Sequence, residues 1–225
     1  MGRIIYAADI GSTRCKAGEQ SNFAWARVDP EDRASVIGSS EIGKLADHVI
    51  LDLQEGRSVA LGVEAPLFIP VPAEASALCR GRENEGPRSF AAPAGLTVAM
   101  LGLHEVAWIL RRIANSCGTS VHFRTDVTSW PPSENNRILF CWEAFVSGAA
   151  HGATHVQDAA TAVMAFLSAE DNLAGATKIK TDNPLSLIGA AAIWSGLTTN
   201  FAVLHGSTAV ICPGKPFTGN IRQLK

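Results

Sequence analysis

Hydrophobic and polar positions along the chain change period several times, and the changes mark out its elements. Ile4-Ile5-Tyr6 opens a run of β-formers that ends on Asp9 and a Gly-Ser-Thr turn, so the spacing predicts a first strand with one carboxylate at its end. Residues 23–28 and 34–38 read as two more strands, and their short connections predict an antiparallel meander. Ile42, Leu45, Ala46, Val49 and Leu53 then recur at helical spacing over 41–54, with Gly56 closing the helix. Residues 58–64 form a nearly continuous apolar strand of the kind a sheet interior requires, bounded by Ala65-Pro66.

Five prolines between 66 and 93 break the next stretch, so 65–95 is expected to be an irregular insert. Apolar positions cover most of the circumference over 96–113, which predicts a helix buried all round. A polar loop over 125–136 leads to a second interior strand, 137–143, which ends on Glu143. Thr154 and Gln157 have capping-box spacing, which starts a helix at His155. In that helix Val156, Ala159, Ala160, Val163 and Leu167 form the main stripe. His155 and Asp158 lie on another side, continued by the small residues Ala162, Ala165 and Ala169. One more apolar helix over 183–196 and an edge strand over 208–212 complete the expectation.

The chain has 225 residues, nearly half of them apolar, and no repeat or linker, so one α/β domain over 1–225 is expected. A net charge of −2 argues against general attraction to nucleic acid and leaves only local basic patches for such contacts. Five scattered cysteines with no C-x-x-C pair fit reduced thiols better than disulfides or zinc. The amino terminus lacks the regions of a signal peptide, and no uninterrupted apolar run approaches the ~20 residues of a bilayer span. The expected location is the cytoplasm, away from membranes.

Strand, strand, strand, helix, strand, helix, strand, helix, with acids at the ends of the first and fourth strands and in the last core helix, resembles the RNase H-like fold. That implies a mixed sheet of three antiparallel strands followed by strands alternating with helices, with helices on both faces. AADIGSTR (7–14) is similar to the first-strand motif of that superfamily. HVQDAATAVMAF (155–166) is similar to the final His-x-x-Asp-Ala helix of some RuvC-type Holliday-junction resolvases. A wider likeness, carried by GVEAPLFIPVP, LCRGRENEGPRSFAAPAG, LFCWEAFVSG and AAAIWSGLTT, is to RNase H-like families of unknown function. The resemblance implies that Asp9, Glu64, His155 and Asp158 occupy the metal-binding, catalytic positions of such nucleases.

Two or three carboxylates from different elements suit Mg²⁺ or Mn²⁺, and a pair of such ions ~3.5–4 Å apart can activate water over a phosphodiester. On this reading Asp9 bridges, Glu64 and Asp158 flank, His155 binds metal or moves a proton, and Glu143 is a fourth ligand or a structural group. Arg80, Arg82 and Arg88 either fork onto phosphates or pair with the interleaved glutamates. Trp130, beside two prolines, is the tryptophan placed to stack on a base. The expected function is a metal-dependent phosphodiesterase or nuclease whose partner is nucleic acid. The alternative is a nucleotide-binding phosphotransferase, because DIGSTRCKAG also resembles the first phosphate motif of actin-like and sugar-kinase ATPases, with Gly11, Ser12 and Thr13 cradling phosphate. A third reading is a scaffold that keeps the fold and has no chemistry.

Overall fold

The computed structural model describes residues 2–13, 21–86, 89–132 and 137–224. Strands β1 (Arg3–Asp9), β2 (Ala24–Asp29) and β3 (Asp32–Ser39) form the antiparallel meander, and α1 (Ile42–Gln54) follows. The chain continues through β4 (Ser58–Val63), β5 (Phe68–Pro70), α2 (Pro93–Cys117), β6 (His122–Arg124), β7 (Ile138–Ala144), α3 (His155–Ala169) and α4 (Leu173–Ala176). It closes with β8 (Pro184–Ser186), α5 (Leu187–Ser195), β9 (Val210–Ile211) and β10 (Ile221–Gln223).

The main sheet runs in the order β10-β3-β2-β1-β4-β7-β6, with β9 also paired to β7. β1, β4, β7 and β6 are mutually parallel. This is the mixed sheet of RNase H-like folds, with three antiparallel strands leading into parallel strands that alternate with helices.

Strand alternation divides the core between the two faces of the sheet. Ile4, Tyr6 and Ala8 of β1 pack with Leu45 and Val49 of α1, Ile109 and Ile113 of α2, and Ile188 of α5. Ile5 and Ala7 face the other way, into Ala159, Val163 and Phe166 of α3. β1, β4 and β7 are buried almost throughout, which is why their sequences are nearly continuously apolar. At Gly62 an added Cβ would stand 2.3 Å from the Trp142 ring, so β4 needs a residue without a side chain there. Trp142 in turn stacks on Phe166 of α3, with centroids 4.4 Å apart.

Several elements differ from expectation. The insert over 65–95 contains β5, which pairs with β8 in a two-stranded sheet, so the start of the 183–196 segment is strand rather than helix. β6 and β10 extend the main sheet at its two edges. α2 is longer than 96–113 and is not buried all round. Its Ala99, Gly102, Val106, Ile109 and Ile113 stripe faces the core, while Leu96, Met100 and Trp108 are exposed. One sheet face can cover only one side of a helix, and Arg112 lies over the outward Trp108 ring at 5.2 Å. With its following turn, Pro93–Ser120, this helix is long and apolar enough to cross a bilayer, an 18-residue stretch of it having a mean hydropathy of 1.4. His104, Glu105, Arg111 and Arg112 interrupt the apolar run in the sequence.

Candidate metal centre

The site is built where β1 ends against the start of α3. Odd-numbered residues of β1 face α3, so the alternation that buries Ile5 and Ala7 delivers Asp9 to that face. The chain then turns tightly: a Cβ at Gly11 would lie 2.2 Å from the Asn22 carbonyl oxygen, and the Asn22 amide donates to Ser12 O at 3.1 Å. Ser12 and Thr13 are exposed in this turn. At α3, Thr154 Oγ1 accepts from the Gln157 amide at 3.2 Å, while Gln157 Oε1 accepts from the Ala153 amide at 2.8 Å. These two bonds set the first turn of α3, and with it the positions of His155 and Asp158. Alanines at 159, 160 and 162 let that turn lie close to β1.

One ligand atom each from Asp9, His155 and Asp158 lie within 4.8 Å of one another. His155 Nδ1 is 2.7 Å from Asp9 Oδ2. Asp158 is held by the Gly152 amide, which donates to Oδ1 at 2.5 Å, and by His151, whose Nδ1 is 3.1 Å from Oδ2. Both carboxylates are buried, whereas the His155 ring is about half exposed. Burial pushes the Asp9 carboxyl up to about 6. His155 opposes that displacement, and the negative charge of Asp158 adds to it.

Two desolvated carboxylates and an imidazole around one point form a donor set for a divalent cation. Oxygen donors suit Mg²⁺, and the added imidazole suits Mn²⁺ equally well.

The other expected site residues lie elsewhere. Glu64 follows the last residue of β4, beside Asp9 in parallel register, and its amide donates to Ala8 O at 2.8 Å. It opens onto a cleft of about 420 Å³ lined by Ala65, Pro66, Val98, Phe145 and Val146, and is not part of the close Asp9/His155/Asp158 group.

Glu143 does not serve as a ligand. On β7, Phe140 and Trp142 take the α3 face while Leu139 and Cys141 take the other, so Glu143 points away from Asp9. Both of its oxygens accept from Arg82, at 2.6 and 2.7 Å, and one also accepts from the Leu67 amide at 3.0 Å. Arg82 is correspondingly unavailable to phosphate, because its side chain is fully buried between Glu143 and Glu85. Of the two readings of the arginine segment, self-pairing is the one realised at Arg82. Arg80 is exposed, and Arg88 lies outside the described residues. Trp130 does not present a stacking face: it is buried against Phe140 and Phe166, with centroids 5.7 and 6.0 Å away.

Sequence reasoning passed over two neighbours of the site. His151 supports Asp158 from the loop before α3. Glu105 of α2 is only 5 % exposed, and no side chain among the described residues hydrogen-bonds its carboxyl. Burial pushes it up to about 7; the charge of Asp9 adds to this and the Gly11 amide works against it. α2 comes this close through Gly102, where a Cβ would be 2.4 Å from that of Ala65. An acid inside an otherwise apolar helical stripe was the signal available for Glu105.

Comparison of the chain with protein-family models, with curated proteins and with solved structures returns no match. What stands on the structure itself is an RNase H-like mixed α/β fold with an Asp/His/Asp cluster at the end of its first strand, able to coordinate a divalent cation.

Proposed function

We propose that this protein is a metal-dependent phosphodiesterase that hydrolyses nucleic acid. The observation that supports the reading is the meeting of Asp9, His155 and Asp158 within 4.8 Å at the carboxyl end of β1, the side of an open α/β sheet where ligands sit. Asp9, Asp158 and His155 would hold the cation, Mg²⁺ or Mn²⁺, and Glu64 stands at the next strand end.

A bound divalent ion supplies charge stabilisation at a phosphoryl oxygen and lowers the pKa of water. The chain's own residues do the rest. Asp158, fixed by Gly152 and His151, keeps its orientation without help from substrate. His155 is tied through Nδ1 to Asp9, which fixes its half-exposed ring beside the two carboxylates as the third donor of the set. The apolar cleft beside Glu64 offers room for a sugar or base next to the phosphate being cut.

The test is a panel of single-stranded, duplex and branched DNA and RNA substrates assayed with Mg²⁺, Mn²⁺ or chelator. Cleavage should require metal and fall by at least about a hundredfold in Asp9→Asn and Asp158→Asn. No metal-dependent turnover on any substrate, or undiminished turnover in Asp9→Asn, refutes the proposal. A thermal-shift arm with ATP and Mg²⁺ addresses the phosphotransferase alternative.

A further inference from the structure

We propose that the cleft beside Glu64 seats an unpaired base, so that the strand cut at the cation site is single-stranded at that point. The inference rests on the reading of this protein as a metal-dependent phosphodiesterase, and it names the class of nucleic acid taken.

Strand register places the cleft next to the cation site. β1 and β4 run parallel with Ala8 opposite Val63, so Asp9 and Glu64 stand side by side where the two strands end. Alternation gives both the same face of the sheet: Ala60 of β4, like Ala7 of β1, packs toward α3, and Glu64 follows Ala60 by an even count. On its other side β4 has Val63 opposite Glu143 of β7, which brings Glu64 level with Ala144 on the far wall of the cleft. Neighbouring strands lie about 4.8 Å apart, so the cleft begins within about 5–10 Å of Asp9. A phosphate at the cation and the base of an adjoining nucleotide fit that separation.

The cleft is roomy because its walls are small. Ala65, Ala92, Ala94, Gly95 and Ala144 offer nothing larger than a methyl group, and about 420 Å³ is left between them, within the ~300–1,000 Å³ of small-molecule pockets. The space is also pre-formed. A Cβ at Gly95 would lie 2.2 Å from the Ser89 carbonyl oxygen, and one at Gly102 would lie 2.4 Å from that of Ala65, so α2 is pressed into place at two points along the wall.

The lining suits a base. Phe145 supplies one aromatic ring to an otherwise aliphatic surface, while the Glu64 carboxylate and Ser147 supply polar groups for the N–H and carbonyl edges of a base. The first turn of α2 lies on the same wall, with Pro93 at its start and no side-chain cap from Ala92, so its partial positive charge complements a negatively charged strand. A base held here turns its pairing edge to the protein and is out of any duplex.

Ala94→Trp is the probe, because Ala94 is exposed on the cleft wall and a large ring there fills the space without entering the core. Fluorescence anisotropy of the whole protein in Mn²⁺ would use labelled single-stranded DNA with hydrolysis-resistant phosphorothioate links, and the same sequence as a blunt duplex. The wild type should bind the single strand at least about tenfold more tightly than the duplex, and Ala94→Trp should remove at least about tenfold of the single-strand affinity. Calorimetric Mn²⁺ binding should be the same in both proteins. Equal affinity for the two forms, no binding of either, or an Ala94→Trp variant that binds like wild type overturns the role of the cleft, and Mn²⁺ binding in that protein leaves the cation site standing. Absence of Mn²⁺ binding by the wild type overturns the underlying reading instead. If Ala94→Trp does not fold, photocrosslinking of wild type to a single strand carrying a thiolated base decides: crosslinks at residues 144–147 or 92–98 support the assignment, and crosslinks confined to other segments overturn it.

Discussion

Glu105 makes the metal-free protein lose stability as pH rises, and Glu105→Gln should abolish that loss. In the fold its carboxyl titrates at about 7 instead of the ordinary 4.5, chiefly because it is buried. Between those two values the folded state binds more protons than the unfolded state, so unfolding free energy falls with rising pH across that window. Below about 4.5 the contribution is constant, and above about 7 it is fully lost. At 1.36 kcal/mol for each tenfold change, the displacement corresponds to about 3 kcal/mol. Asp9, pushed from 3.8 to about 6, adds a loss of the same sign at slightly lower pH. Urea unfolding in chelator at pH 4.5 and pH 8 should therefore show wild type losing about 3 kcal/mol more than E105Q between the two conditions. The difference between pH values matters, not the absolute stability, since the buried amide differs from the buried acid in ways unrelated to titration. Parallel stability-pH curves for the two proteins would refute the reasoning.

Two further substitutions probe the groups around the site. Arg82→Leu removes the only cation contacting Glu143 among the described residues and leaves a fully buried carboxylate behind, so it should cost about 3–5 kcal/mol in urea unfolding, partly recovered in the double variant with Glu143→Leu. Thr154→Ala deletes the side-chain cap of α3 and should cost about 1 kcal/mol. Because the same turn carries His155 and Asp158, calorimetry should also show weaker Mn²⁺ binding.

The parts of this architecture that were legible in the sequence are those specified locally. β1 announces itself by β-formers ending on a turn, and α3 by a cap three residues before Gln157. Two periodicities, 2 and 3.6, therefore placed Asp9, His155 and Asp158 correctly on their elements. Their meeting followed from a resemblance in element order, not from spacing. What escaped depends on contacts distant in sequence. Glu143 and Arg82 are 61 positions apart, and no local pattern says that one neutralises the other. Strand parity did hold the clue that Glu143 and Asp9 use opposite faces, because Trp142 and Phe140 pack with α3. Strands of three residues such as β5, β6, β8 and β10 are too short to show a period. Glu105 was hidden for another reason: the breadth of apolar residues on α2 suggested burial on every side, so the one acid in the truly buried stripe drew no separate attention.

The central claim is that oxygens and a nitrogen from β1 and α3 share one divalent ion. Anomalous diffraction at a manganese-sensitive wavelength, from crystals soaked in Mn²⁺, tests it most directly. The account predicts a peak in contact with Asp9, Asp158 and His155, absent from crystals of Asp9→Asn. Saturating Mn²⁺ with no peak there, or a peak that persists unchanged in Asp9→Asn, would contradict it.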